Sequence, residues 1–114
     1  MHELAITQGL LRIALEKVEQ AGARSIRQIN LRIGKLSGYL PEAVEMNFRM
    51  LSPGTKAEGA RLSLEWLPVT CECRECGRQY QAQGQDLRCP GCRAAQFRIT
   101  GGREMYIESL EVEE

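Results

Sequence analysis

Apolar residues fall at Leu4, Leu11, Ala14, Leu15 and Val18, while Arg12, Glu16, Lys17, Glu19 and Gln20 fill the other face. A repeat of about 3.6 residues predicts an amphipathic helix from Glu3 to Ala21, and Gly22 stands where a left-handed C-terminal cap belongs. From Gln28 the period shortens to two: Ile29, Leu31 and Ile33 alternate with Asn30, Arg32 and Lys35, as in a strand with one buried face. Gly34 and Gly38 mark its end. Pro41 opens a second helix at a position that tolerates its missing amide proton. Val44, Phe48 and Leu51 give that helix an apolar stripe, which closes before Ser52-Pro53-Gly54. Leu62, Leu64 and Trp66 predict a second strand running into Pro68. A last strand spans Glu104 to Val112, with either Met105 and Ile107 or Tyr106, Leu110 and Val112 facing inward.

Between these strands, Val69 to Thr100 holds all five cysteines. Cys73 and Cys76 form one CxxC pair, Cys89 and Cys92 another, with twelve residues between the pairs. This is the spacing of a zinc ribbon: two residues between cysteines let a tight turn aim both sulfurs at one point, and Zn(II) accepts four thiolates tetrahedrally at about 2.3 Å. Gly77 follows the first pair, where a positive φ lets amides point at sulfur. Arg93 occupies the matching slot after the second pair. A left-handed arginine costs about 1 kcal/mol, small against the ~10–16 kcal/mol apparent affinity of structural zinc sites. Two disulfides are the alternative for the same four residues, and iron the alternative metal. Cys71 is either a spare ligand that exchanges with Cys73 or the end of the strand entering the ribbon.

The 114 residues suffice for one modest core with a metal-stapled appendage. Strands on both sides of the cysteines make the ribbon an insertion, and a chain that leaves a sheet and returns to it most simply has neighbouring strands there. The expected fold is therefore α+β: a small three-stranded sheet with two helices, residues 1–69 plus 101–114, carrying a zinc-ribbon subdomain over residues 70–100.

Fifteen Lys and Arg balance fifteen Asp and Glu, so no basic field supports nonspecific nucleic-acid binding. Within the ribbon, Arg74, Arg78, Arg88, Arg93 and Arg98 face Glu72, Glu75 and Asp86, which a solvated surface explains. The start MHELAITQGLL lacks the basic and apolar regions of a signal peptide, and no stretch approaches the ~20 apolar residues of a membrane span. The expectation is a cytoplasmic protein without a membrane segment, in the reducing compartment that keeps thiols free for metal.

His2 is the only histidine and follows Met1. The Met1 α-amine, the His2 backbone nitrogen and the His2 imidazole can chelate one ion in fused rings, with a Glu3 amide nitrogen or carboxylate as fourth donor. Planar nitrogen donors suit Cu(II) or Ni(II), whereas tetrahedral thiolates suit zinc. Glu3 also has a plain role as an acid at a helix N-terminus. Four thiolates leave zinc no open position for a reacting water, and no serine–base pair or second histidine offers a catalytic alternative.

MHE at the start, the strand INLRIGKLS, the segment AEGARLSLE, and CxxCG followed by CPxC together resemble the HypA/HybF family of hydrogenase nickel-incorporation proteins, over nearly the whole chain. The resemblance implies a nickel metallochaperone and not an enzyme. Transient Ni(II) is then held at Met1 and His2 beside Glu3, and structural zinc at Cys73, Cys76, Cys89 and Cys92. It also implies delivery with a HypB-type GTPase to the [NiFe]-hydrogenase large-subunit precursor, with urease maturation factors as further partners, from a monomer or homodimer. Arg93 in place of a frequent glycine and the extra thiol of Cys71 depart from the family pattern. The competing reading is a zinc-ribbon module that binds nucleic acid or protein.

Overall fold

The computed structural model describes residues 3–82 and 84–114. Its contacts divide it into two units, one taking the chain to Arg32 with Tyr39–Glu65 and Met105–Glu114, the other Ile33–Gly38 with Trp66–Glu104.

In the first unit, α1 runs Glu3–Ala21. Its end is a Schellman turn: Gly22 at φ 67° sends its N–H to Glu19 O at 3.1 Å, and Ala23 N–H reaches Val18 O at 3.1 Å. The buried stripe is Glu3, Thr7, Leu10, Leu11, Ala14 and Val18. Leu4, expected inside, is 46% exposed. The first turn instead turns Glu3 and Thr7 inward, and both find partners. Thr7 Oγ1 donates to the Glu3 carbonyl at 2.5 Å, and Glu3 Oε2 accepts the Leu40 N–H at 3.0 Å. Helix α2, Pro41–Leu51, begins after extended Leu40, whose side chain gives no cap. The carboxylate of Glu3 therefore satisfies from another helix the kind of amide that a capping-box acid satisfies within its own.

The strands β1 (Ser25–Gly34), β2 (Arg61–Leu67) and the long strand near the end of the chain, here β6 (Met105–Glu113) after the three ribbon strands β3 (Thr70–Cys73), β4 (Gln79–Gln81) and β5 (Phe97–Gly101), form a sheet ordered β2-β1-β6. Arg27 bonds Glu113, Asn30 bonds Ser109 and Arg32 bonds Glu108. Numbers rise on β1 as they fall on β6, so the two run antiparallel. The strands flanking the cysteine segment, β2 and β6, are thus not neighbours as the insertion argument expects. β1 lies between them because it is the most apolar strand, with Ile26, Ile29 and Leu31 each 2% exposed, and a central position covers both its edges.

Neither expected alternation of β6 holds throughout. Met105, Ile107, Leu110 and Val112 all pack on the core while Tyr106 is 43% exposed, so the phase skips one position between Ile107 and Leu110. β1 makes the same skip between Ile26 and Ile29. Trp66, expected inside, is 50% exposed. The core joins these residues to α1, α2 and Ala57, in the α+β class expected from the pattern.

In the second unit, Gly34 and Gly102 bring two backbones together. A Cβ on Gly34 would lie 2.2 Å from Gly102 O and 2.9 Å from Arg103 N. Gly102 takes φ 110°, its O accepts the Leu36 N–H at 2.7 Å, and Gly34 N–H reaches Glu104 O at 2.7 Å. The Glu104 carboxylate closes the turn by accepting the Gly102 and Arg103 amides at 2.8 and 2.7 Å.

Gly34→Ala has only backbone to push against, so thermal or urea unfolding is expected to show a loss of at least about 1–3 kcal/mol. Gly9→Ala, in α1 with nothing within 4 Å of its new Cβ, is expected to gain up to about 1 kcal/mol. Equal effects of the two substitutions would show that the Gly34–Gly102 approach is not a constraint on folding.

Candidate metal centre

The ribbon is built on the sheet β4-β3-β5, with β3 antiparallel to both neighbours. Cys73 closes β3, opposite Phe97 on β5. The chain then makes the same turn twice, sixteen residues apart. In the first, Gly77 N–H reaches Cys73 O at 3.0 Å and Cys73 N–H reaches Arg78 O at 2.8 Å. In the second, Arg93 N–H reaches Cys89 O at 2.8 Å and Cys89 N–H reaches Ala94 O at 3.2 Å. Gly77 has φ 78° and Arg93 φ 64°, the one positive value at a residue other than glycine among the described residues. The turn, not the residue type, sets that angle.

The two turns bring the Sγ atoms of Cys73, Cys76, Cys89 and Cys92 within 4.8 Å of one another. Cys73–Cys92 and Cys76–Cys89 each stand at 3.6 Å, and all four are free thiols. A tetrahedron of sulfurs about 2.3 Å from a central ion has edges of about 3.8 Å, so these spacings fit a four-thiolate metal. Cys73 and Cys89 are buried, whereas Cys76 and Cys92 are exposed.

Local amides prepare the inner pair for charge. The Cys76 amide, 3.5 Å from Cys73 Sγ, lowers the Cys73 pKa, helped by Glu75 N–H at 3.4 Å. The Cys92 amide, 3.5 Å from Cys89 Sγ, is the main cause that brings Cys89 down to about 6, with the Gly91 amide adding to it. Cys92 moves the other way, to about 11: the Ala94 amide favours its thiolate, but contact with the Cys73 thiol and desolvation outweigh that. Four thiolates this close repel one another, so full deprotonation requires a cation among them.

Cys71 is fully buried on β3 and stands outside the four-sulfur cluster. It pairs across the sheet with Tyr80 and Ile99, which makes it a buried strand residue of the ribbon sheet. Burial, reinforced by Cys71, pushes the Tyr80 hydroxyl up to about 12. The ribbon arginines are largely engaged: Arg98 with Glu72, and Arg88 and Arg93 with Asp86.

Of the residues proposed for the second metal, Met1 and His2 lie outside the described residues. Glu3 is the first residue of α1 and 5% exposed. Its burial and its bond to Leu40 had no sequence signal, since an acid in a first helical turn is ordinarily solvated. Among the described residues, no helix is long and apolar enough to cross a membrane.

A family model described as hydrogenase/urease nickel incorporation, metallochaperone, HypA matches residues 1–112. The hydrogenase maturation factor HypA of Dehalococcoides mccartyi is 40% identical over 114 residues, 100% of this chain and 96% of that protein. Its counterpart from Geobacter metallireducens is 41% identical over 113 residues, 99% of this chain and 100% of that one. In fold, the chain matches the solution structure of the Ni metallochaperone HypA from Helicobacter pylori with a TM-score of 0.74 at 23% identity, covering 99% of this chain and 98% of that one. A second solution structure, of a HypA protein, gives 0.76 at 24% identity, covering 98% and 96%. The chain therefore belongs to the HypA family, metallochaperones of nickel incorporation for hydrogenase and urease, and is a maturation factor rather than an enzyme.

Proposed function

We propose that this protein holds one zinc ion permanently in Cys73, Cys76, Cys89 and Cys92 and carries Ni(II) at its N-terminus. In this reading the Met1 amine and the backbone and imidazole nitrogens of His2 supply the nickel donors, beside Glu3. The observation that carries it is the start of α1: the helix begins at Glu3, whose carboxylate is fastened to the Leu40 amide, so the donors that precede it adjoin a fixed element. A terminal site also suits a carrier, which must release what it binds. The nickel goes, with a HypB-type GTPase, to the [NiFe]-hydrogenase large-subunit precursor in the cytoplasm. When bound, zinc supplies the positive charge that the four thiolates need, and the Glu75, Cys76 and Cys92 amides hold the inner two sulfurs in place.

Calorimetry with Ni(II) tests the carrier site. His2→Ala, or residues added before Met1, is expected to weaken binding at least tenfold with the fold unchanged by circular dichroism, and undiminished affinity in both would refute the assignment.

Acidification sets protons against nickel for the same nitrogens. As pH falls from 7.5 to 5.5, through the imidazole's ordinary ~6.5, nickel affinity is expected to drop. An affinity equal at the two pH values would leave His2 without a role as ligand.

Zinc removal by a chelator is expected to abolish amide-exchange protection in β3, β4 and β5 while α1 and α2 keep theirs. Protection retained throughout the ribbon would mean that the metal does not hold it together.

A further inference from the structure

Among the differences between the two metal turns, two are linked in space. Glu75 of the first turn corresponds to Gly91 of the second, and Arg78, which follows the first, corresponds to Ala94 after the second. Gly91 lies outside the left-handed region, so its backbone does not call for glycine. What the missing side chain admits is Arg78. A Cβ at position 91 would stand 2.8 Å from Arg78 Nε, 3.1 Å from Cζ and 3.2 Å from Nη2, with no other heavy atom nearer. The guanidinium therefore lies against the turn that carries Cys89 and Cys92. The main chain of the same residue closes the other turn, where Arg78 O accepts the Cys73 N–H at 2.8 Å. Ala94 O closes the second turn in the same way, at 3.2 Å, but a methyl group cannot reach back across.

Charge gives this seat a purpose. Four thiolates around one divalent cation leave two negative charges uncancelled. Arg88 and Arg93 share Asp86, and Arg98 pairs with Glu72. Among the described residues Arg74 and Arg78 have no carboxylate partner, and of these two it is Arg78 that rests on the opposite turn. We propose, on the four-thiolate zinc reading, that Arg78 is a positioning residue of the metal centre, strapping its two turns together and holding a positive charge over the second so that zinc leaves slowly. Opening the second turn draws Cys89 and Cys92 away from the guanidinium, so the closed, fully ligated state gains more from that charge than a half-open one. Gly91 is its counterpart, bare of a side chain and so able to receive it. A protein that hands on one metal thereby keeps the other from the same acceptors.

Zinc transfer from the full, zinc-loaded chain to an excess of a chromophoric chelator reads this directly, with circular dichroism and zinc content checked for each variant before mixing. At low salt, Arg78→Gln is expected to speed transfer at least about threefold and Arg78→Lys much less, whereas Arg74→Gln, which removes a charge beside Cys73, stays within about twofold. Near about 1 M salt, where charges are screened beyond about 3 Å, the Arg78→Gln difference is expected to shrink. Gly91→Ala is expected to displace the guanidinium and speed transfer in the chain that keeps Arg78, and to change nothing further when combined with Arg78→Gln. If Arg78→Gln does not load zinc, Gly91→Ala by itself decides. A rate unmoved by Arg78→Gln or by Gly91→Ala, an equal effect from Arg74→Gln, a difference indifferent to salt, or the same Gly91→Ala effect in both backgrounds would each overturn the proposal. An unsubstituted chain that holds no zinc would instead sink the four-thiolate reading, and the proposal with it.

Discussion

Everything in the ribbon depends on bringing four sulfurs to within 4.8 Å of one another. Thiolates packed this closely repel, and neutral thiols gain little from meeting, so the arrangement is stable only around a cation. The unit has few other resources. Apart from Ile33 and Val69, its buried apolar side chains are Cys71, Cys73 and Cys89. So small a core does not offset the ordering of some forty residues, whereas a structural zinc site contributes an apparent ~10–16 kcal/mol. Against that figure the ~1 kcal/mol of left-handed strain at Arg93 is minor, which explains how the second turn copies the first without its glycine.

The other unit answers to a different constraint, the fastening of its first helix. Burying Glu3 is costly unless its carboxylate finds a donor, and the Leu40 N–H, at the N-cap of α2, needs an acceptor that a capping-box acid would otherwise supply. Each resolves the other's difficulty. The same bond holds the first residue of α1 against the start of α2.

Much of this was legible in the residues. Both helices were visible because apolar spacing, Gly22 and Pro41 agree, and the metal centre because cysteines separated by two residues in paired turns admit few other uses. What stayed hidden depends on contacts between distant residues. The central place of β1 follows from comparing burial among strands, which alternation alone does not rank. The phase skips in β1 and β6 mix the two candidate faces of the last strand, and no local pattern announces them. Glu3 and Thr7 are polar and so were passed over for Leu4, although their partners, Leu40 and the helix backbone, allow them inside. Gly34 marked only the end of a strand, and nothing local singled out Gly102 as its partner. Their function is close approach, which appears only when the two segments meet.

Metal and sulfur are the centre of the account, and zinc-edge X-ray absorption on the purified protein addresses them most directly. The account predicts one zinc per chain bound by four sulfurs at about 2.3 Å, with no nitrogen or oxygen neighbour. A mixed sulfur and nitrogen shell, or a protein that folds its ribbon with no metal bound, would contradict it.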